Sequence, residues 1–298
     1  IRIAGEHNIN LSEVEGSGLG GRITRKDLLK LVEQGTAPAE ETTRDSEVKR
    51  TKIKAEKSTT TQATRMAGDR EIPITSVRKT IAENMVRSKE EIPHAWMTVE
   101  VDVTDLVALR NRVKDSFKER EGFSLTYFAF FINAVARALK EYPSLNSTWA
   151  GDKIIERGDI NISIAVAKEN ELYVPVIKDA ADKNITGIAK AIHQLAEKTH
   201  EGTLKQEDIS DGTFTVNNTG TFGSVSSMGI INYPQAAILQ VETIVKRPVI
   251  IDDMFAARDI VNLSLSLDHR ILDGLICGRF LARVKEILEN MNEETVDL

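Results

Sequence analysis

The spacing of apolar positions changes several times along the chain, and each change marks an element. Val77, Ile81 and Met85 lie four apart, and Leu106, Leu109 and Val113 lie three and four apart, the spacing of one helix face. Between them, Met97 to Val103 alternates apolar and polar, the period of a strand. The run from Leu125 to Leu139, with Phe128, Phe131, Ile132 and Val135, is strongly apolar, which predicts a buried helix. Strands are predicted over residues 160–166, 172–177, 213–216, 236–241 and 260–267, and a helix over 185–198. Phe280, Leu281, Val284, Ile287 and Leu288 mark a closing helix. This order predicts an α+β domain built on a large mixed sheet with helices. No repeat of 20 to 50 residues interrupts it.

The first 70 residues follow a different pattern. All 15 aromatic residues lie at or beyond Trp96, so the large core is placed downstream. Residues 36–70 are rich in Thr, Ala, Lys, Arg and Glu, and beyond alanine only Val48, Ile53 and Met66 are apolar. Such a stretch buries too little surface to offset its ordering entropy, so it reads as a flexible linker. Residues 1–35 carry closely spaced Ile9, Leu11 and Val14, then Gly16, Gly18, Gly20 and Gly21. Thr24 and Asp27 have capping-box spacing ahead of Leu28, Leu29, Leu31 and Val32, with Gly35 as a stop. Two short helices around a glycine-rich loop are expected, a unit near the lower size limit for folding and suited to docking.

Charge and cysteine count narrow the function classes. A net charge of −6 argues against a general nucleic-acid binder, which needs a basic surface. Cys277 is the only cysteine, so no intrachain disulfide forms, and a reducing, cytoplasmic setting is expected. No apolar run approaches the roughly 18 residues of a membrane span. The chain starts at Ile1, with neither a methionine nor a signal peptide, and reads as the start of a fragment or of an ordered remnant.

Candidate chemistry is concentrated in VNLSLSLDHRILDG at 261–274. Val261, Leu263, Leu265 and Leu267 alternate with Asn262, Ser264 and Ser266, and the strand ends in Asp268, His269 and Arg270, followed by Asp273 and Gly274. Titratable groups at a strand end stand where loops carry function. Taken alone, His269 reads more readily as a structural residue tied to Asp268 or Asp273 than as a catalytic one. His94, beside Pro93 and Trp96, reads as a pocket or packing residue, and His7, His193 and His200 as incidental.

HRILDG at 269–274, between strand and helix, resembles the active-site signature of dihydrolipoamide acyltransferases. EIPITSVRKTIAENM at 71–85, IPHAW at 92–96, LYVPVIKD at 172–179 and GTFTVNNTG at 212–220 resemble the same family, so the likeness spans 71–298. EHNINLSEVEGSGLGGRITRKDL resembles its peripheral subunit-binding domain, and the stretch from Asn217 to Pro248 is most similar to Gram-positive branched-chain members.

The resemblance implies a chloramphenicol-acetyltransferase-like catalytic domain at 71–298, a linker at 36–70 and an N-terminally incomplete, helical subunit-binding domain at 1–35. It implies acyl transfer between dihydrolipoamide and coenzyme A, with 2-methylpropanoyl favoured, and no metal. The lipoyl group rides on a domain expected to be absent from this chain. A neutral imidazole within reach of a thiol takes its proton as sulfur attacks a thioester; by resemblance His269 is that base. Asp273 would orient the site through an arginine, with Arg78 a candidate. The oxyanion donor falls at Asn217, where relatives often have serine, with Thr219 and Thr215 as neighbours able to substitute. Arg110 and Thr126 fall at the nucleotide end of coenzyme A, and Asn217 and Asn218 near the pantetheine. Leu172 to Ile177 is expected on the acyl side. Arg22 and Arg25 would meet an acidic surface on the 2-oxoacid decarboxylase or the dihydrolipoamide dehydrogenase, although Ile1 and Gly5 stand where relatives often have arginine.

Trimers assembling into a cage of 24 or 60 chains are implied, the branched-chain type favouring 24. In such trimers His269 of one chain faces the Asn217 region of a neighbour. The competing readings are a catalytically inactive scaffold of such a complex, an acyltransferase of the pyruvate or 2-oxoglutarate type, and a free-standing acetyltransferase. The intact His269 and Asp273 weigh against the scaffold, and the docking segment against the free-standing enzyme.

Overall fold

The structure, a computed structural model, describes residues 66–298 apart from Asn170 and Asp297. The expected docking segment with Arg22 and Arg25, and the linker up to residue 65, lie outside the described residues. Contacts divide the chain into two units, Ile1–Arg70 and Glu71–Leu298, and the second carries every element below.

Helix α1 (Ser76–Glu91) is followed by strand β1 (His94–Asp102), α2 (Thr104–Glu121) and α3 (Tyr127–Glu141). A small hairpin, β2 (Ser147–Trp149) with β3 (Ile154–Glu156), precedes β4 (Ile162–Ile164). Then come β5 (Val166–Lys168), β6 (Glu171–Tyr173), β7 (Val176–Ile177), α4 (Ile185–Glu201) and the single turn α5 (Gln206–Ile209). The chain closes with β8 (Phe214–Asn218), β9 (Ala237–Val241), β10 (Val245–Ile251), β11 (Met254–Asp268) and α6 (Gly274–Glu289).

Seven strands form one mixed sheet in the order β1-β11-β9-β8-β4-β7, with β10 paired to the first half of β11. The β8 strand is parallel to β4 and β9, and the other pairs are antiparallel. This is the α+β architecture the apolar spacing predicts.

Strand register sorts the sheet into two faces, because directly opposed residues point to the same side. One face carries Val216, Leu239, Leu265 and Met97 in one row across β8, β9, β11 and β1. These pack into the main core with α3, whose Phe130, Phe131, Ile132 and Val135 are almost fully buried. Burying each such side chain contributes about 1.5–3 kcal/mol, which is why a helix apolar nearly all round is stable only here.

The other face is polar. Asn217, Gln240, Ser264 and Thr98 form one row, and Thr215, Ile238, Ser266 and Trp96 form the next. It is largely shielded from solvent: Gln240, Ser264 and Ser266 are at most 3% exposed. Alternation in 261–267 predicts the strand, yet its serines lie buried with its leucines. The segment 219–235 lies over this side, with Ile231 packed on Ile92 and Ile238.

Strands β9 and β10 run as one line against β11. Val241 opposes Leu263 while Val245 opposes Ile260, so the β9–β10 side carries one extra residue, a β-bulge around Glu242. The hairpin turns at Asp252 and Asp253, both at positive φ (49° and 61°), the pairing of angles that a two-residue turn between twisted strands demands. Strand β10 was not among the strands predicted from spacing, since Pro248 and basic residues break its apolar run.

Candidate active site

The end of β11 and the start of α6 are built by a short chain of backbone and carboxylate contacts. The Asp268 amide donates to the Ala236 carbonyl (2.8 Å), and the His269 amide to the Pro93 carbonyl (3.0 Å), which closes the strand end against both neighbours. Asp268 is 1% exposed. Its carboxylate accepts from the Arg270 amide (3.0 Å), from Arg270 Nε (3.0 and 3.2 Å) and from Arg270 Nη2 (2.7 Å). The Arg270 guanidinium in turn stacks over Trp149 at 5.3 Å. A bidentate pair of this kind has fixed geometry and satisfies a buried charge.

Asp273 is the N-cap of α6: Oδ1 accepts from the amides of Leu275 (2.9 Å) and Ile276 (3.0 Å). The carboxylate thereby satisfies amides that a helix start leaves without partners. Arg78 lies in the first turn of α1, its amide capped by Thr75. The turn between β11 and α6 is thus pinned at Asp268 and Asp273. Between them the His269 side chain is exposed and makes no hydrogen bond or ion pair among the described residues.

His94, directly opposite Asp268 across the β1–β11 pair, is committed to structure. Its Nδ1 lies 2.8 Å from the Ile92 carbonyl, and its Nε2 accepts from the Ile231 amide at 3.1 Å. That arrangement assigns the ring proton to Nδ1. His94 therefore fastens the 219–235 segment over the sheet.

The three residues open to the oxyanion role are separated by their partners. Thr215 is buried and donates to Gln235 Oε1. Thr219 donates to Glu242 Oε2 (2.7 Å). The Asn217 side chain, on the polar face, makes no hydrogen bond among the described residues. Asn218 alternates to the opposite face and lines a cavity of about 210 Å³ with Tyr127, Phe128 and Phe131 of α3. Asn217 and Asn218, paired at the pantetheine by the resemblance, therefore face different sides of the sheet.

Arg110 is held against Tyr127, one of the residues lining that cavity. Its Nε donates to the Leu125 carbonyl (2.9 Å) and its guanidinium lies 4.9 Å above the Tyr127 ring. Arg112, by contrast, pairs with Glu293 at the surface. Thr126 is the exposed N-cap of α3 and its side chain makes no capping hydrogen bond, while its carbonyl accepts from the Ala129 amide (3.3 Å). In the stretch from Leu172 to Ile177, Leu172 is exposed, whereas Val176 and Ile177 are buried in the sheet.

Sequence reasoning missed Glu242 and the Asp268–Arg270 pair. Gln240 and Glu242 alternate with Leu239 and Val241 in an otherwise apolar run, a pattern that marks a buried polar face. Burial pushes the Glu242 carboxyl up, but hydrogen bonds from Ser224, Ser227, Thr219 and Ser264 outweigh it and hold it below the usual glutamate range.

Asn217 and the end of β11 lie well apart within one chain. Asn217 is in register with Ser264 through Gln240, and Asp268 lies four residues further along β11. Strand rise and spacing put Asn217 and Asp268 roughly 15 Å apart or more. Among the described residues no helix is long and apolar enough to cross a membrane.

The family model for the 2-oxoacid dehydrogenases acyltransferase catalytic domain matches residues 66–296, and that for the e3 binding domain matches residues 2–29. The chain is 62% identical, over 99% of its length and 71% of the relative, to the lipoamide acyltransferase component of the branched-chain alpha-keto acid dehydrogenase complex of Bacillus subtilis. A probable dihydrolipoamide acetyltransferase structure from Listeria monocytogenes superposes with a TM-score of 0.77 at 67% identity, over 78% of this chain and all of that one. The cubic core of a pyruvate dehydrogenase multienzyme complex superposes at 0.72 and 32% identity, over 74% of this chain and 92% of that one.

Proposed function

Because this chain belongs to the 2-oxoacid dehydrogenase acyltransferase family, we propose that it moves a branched-chain acyl group, 2-methylpropanoyl foremost, between dihydrolipoamide and coenzyme A. The observation that carries the reading is the exposed His269 imidazole, uncommitted between two pinned carboxylates at the β11–α6 junction. The branched-chain assignment rests on the likeness to the Bacillus subtilis protein.

His269 acts as the general base. It takes the thiol proton of the attacking cosubstrate as sulfur bonds to the thioester carbonyl carbon. The tetrahedral oxyanion then accepts a hydrogen bond from the Asn217 amide, the one candidate whose side chain is not already bound. As the carbonyl re-forms, the carbon–sulfur bond to the departing thiol breaks, and His269 returns the proton to that sulfur. Free thiols ionise near pH 8.5, so the base removes a real barrier at neutral pH.

Asn217 and His269 lie too far apart within a chain, so each site combines His269 of one subunit with Asn217 of its neighbour, as trimers of a 24-chain cage allow. Arg110 and Thr126 supply cationic and hydroxyl partners for the phosphates of coenzyme A, and Asn218 a wall of the cavity lined by Tyr127. Residues 1–35, with Arg22 and Arg25, capture the dihydrolipoamide dehydrogenase or the decarboxylase, which places the chain in the cytoplasm with its complex. The lipoyl group is delivered to the site by a carrier domain.

The test is transfer from 2-methylpropanoyl-, acetyl- and succinyl-coenzyme A to free dihydrolipoamide, in the parent chain and in His269→Ala. Base catalysis is worth about 10²–10⁴-fold; a fall of that size with assembly intact is expected. Transfer that survives the substitution removes His269 from its role, and equal rates for the three acyl groups overturn the branched-chain assignment.

A further inference from the structure

Glu242 sits at the bulge between β9 and β10, 2% exposed, where a carboxylate is costly unless it is fully hydrogen-bonded. It is. Thr219 donates to Oε2 at 2.7 Å and Ser227 to Oε1 at 2.6 Å, and Ser224 and Ser264 also donate to it. Three of these four hydroxyls come from one segment, 219–227, which directly follows Asn217 and Asn218.

The backbone repeats the same clamp. The Thr219 amide donates to the Val241 carbonyl (3.1 Å) and the Thr243 amide to the Ser224 carbonyl (2.8 Å). Thr243 Oγ1 donates to the Gly220 carbonyl at 2.6 Å. Gly220 is pressed so closely on the bulge that a Cβ there would lie 2.5 Å from the Glu242 carbonyl oxygen, and one at Gly229 would lie 2.0 Å from Gln240 Nε2. The segment so held contributes Asn218, Gly220 and Thr221 to the cavity of about 210 Å³ whose other wall is Tyr127, Phe128 and Phe131. The Arg110 guanidinium lies 4.9 Å from the ring of Tyr127, one of the lining residues.

We propose that Glu242 is a positioning residue for the coenzyme A side of the reaction: its carboxylate holds the 218–227 segment in the shape that receives the arm of the coenzyme A substrate. The proposal rests on the acyltransferase reading above. Glu242 touches neither the thioester nor His269, so its loss changes how well the coenzyme A substrate is held and leaves the proton transfer alone. A buried carboxylate suits the task because hydrogen bonds to a charged acceptor are worth roughly twice neutral ones, which fixes a loop rich in glycine and serine whose Phe222 and Val225 are exposed and do not anchor it.

The experiment is steady-state transfer from 2-methylpropanoyl-coenzyme A to dihydrolipoamide by the full chain, with each substrate varied in turn, in Glu242→Gln, Thr219→Val and Ser227→Ala. In Glu242→Gln the KM for the acyl-coenzyme A should rise about tenfold, the loss of roughly one charge-assisted hydrogen bond. The KM for dihydrolipoamide and kcat should stay within about twofold. Thr219→Val and Ser227→Ala should raise the same constant by smaller factors, and they decide the matter if Glu242→Gln does not fold. Variants that assemble like the parent with an unmoved KM for acyl-coenzyme A overturn the proposal, as does a fall in kcat with both KM values unchanged. A parent chain without transfer activity overturns the acyltransferase reading itself, a different outcome from active variants with parental KM values.

Discussion

His94 uses both ring nitrogens in the fold, on the Ile92 carbonyl and the Ile231 amide, while His269 uses neither among the described residues. The same contrast separates Asn217 from Thr215 and Thr219, whose hydroxyls are bound to Gln235 and Glu242. Polar groups already satisfied in the interior cost energy to redirect, so the groups left open are the ones free to meet a substrate. Cys277 is excluded as an acyl carrier on similar grounds. It is fully buried in the first turn of α6, and burial, with the nearby Asp273 charge, pushes its thiol up to about 12. At pH 8 only about one molecule in 10⁴ carries the thiolate, the reactive form. Iodoacetamide at pH 8 should therefore leave Cys277 unmodified in the folded protein and label it readily in denaturant. Rapid labelling of the native chain, read by mass, would show that the thiol is open to reagents and restore it as a candidate.

The β11–α6 junction shows how an element boundary becomes a site. Asp273 stops the turn and starts the helix with two amide hydrogen bonds. Replacing an N-cap carboxylate by alanine costs about 0.5–2 kcal/mol, whereas asparagine caps as well as aspartate does. Asp273→Asn should therefore unfold in denaturant like the parent and retain its activity, and Asp273→Ala should lose stability in that range. A large fall in kcat for Asp273→Asn at unchanged stability would show instead that the charge, and not the cap, serves the chemistry. This junction was legible from sequence, since the period-two run and the Asp-Gly that follows it are local signals. The hairpin β2–β3, the strand β10 and the first half of β11 were not, because their apolar positions are exposed or interrupted by Pro248 and Arg258. Glu242 was hidden for a different reason. Its importance comes from a bulge and from hydroxyls 15 to 23 residues earlier in the chain, a juxtaposition that only the sheet register creates.

The helix α1 is found where apolar spacing predicts it, yet Val77 is 46% and Val86 55% exposed. Ile250, Met254 and Phe255, at the tip of the β10–β11 hairpin, are 69%, 69% and 85% exposed. Exposed apolar surface of this kind marks contacts between proteins, in keeping with a subunit whose site is completed by its neighbour. If every site takes His269 from one chain and Asn217 from another, a trimer mixed from His269→Ala and Asn217→Ala subunits contains interfaces with both residues intact. Each variant alone should be nearly inactive. After joint unfolding and reassembly, a random mixture should recover a substantial fraction of parental transfer, whereas mixing without subunit exchange should recover none. Absence of recovery in mixed trimers shown by mass to contain both chains would mean that each chain builds its site alone. The roughly 15 Å between Asn217 and the end of β11 would then have to close within one subunit.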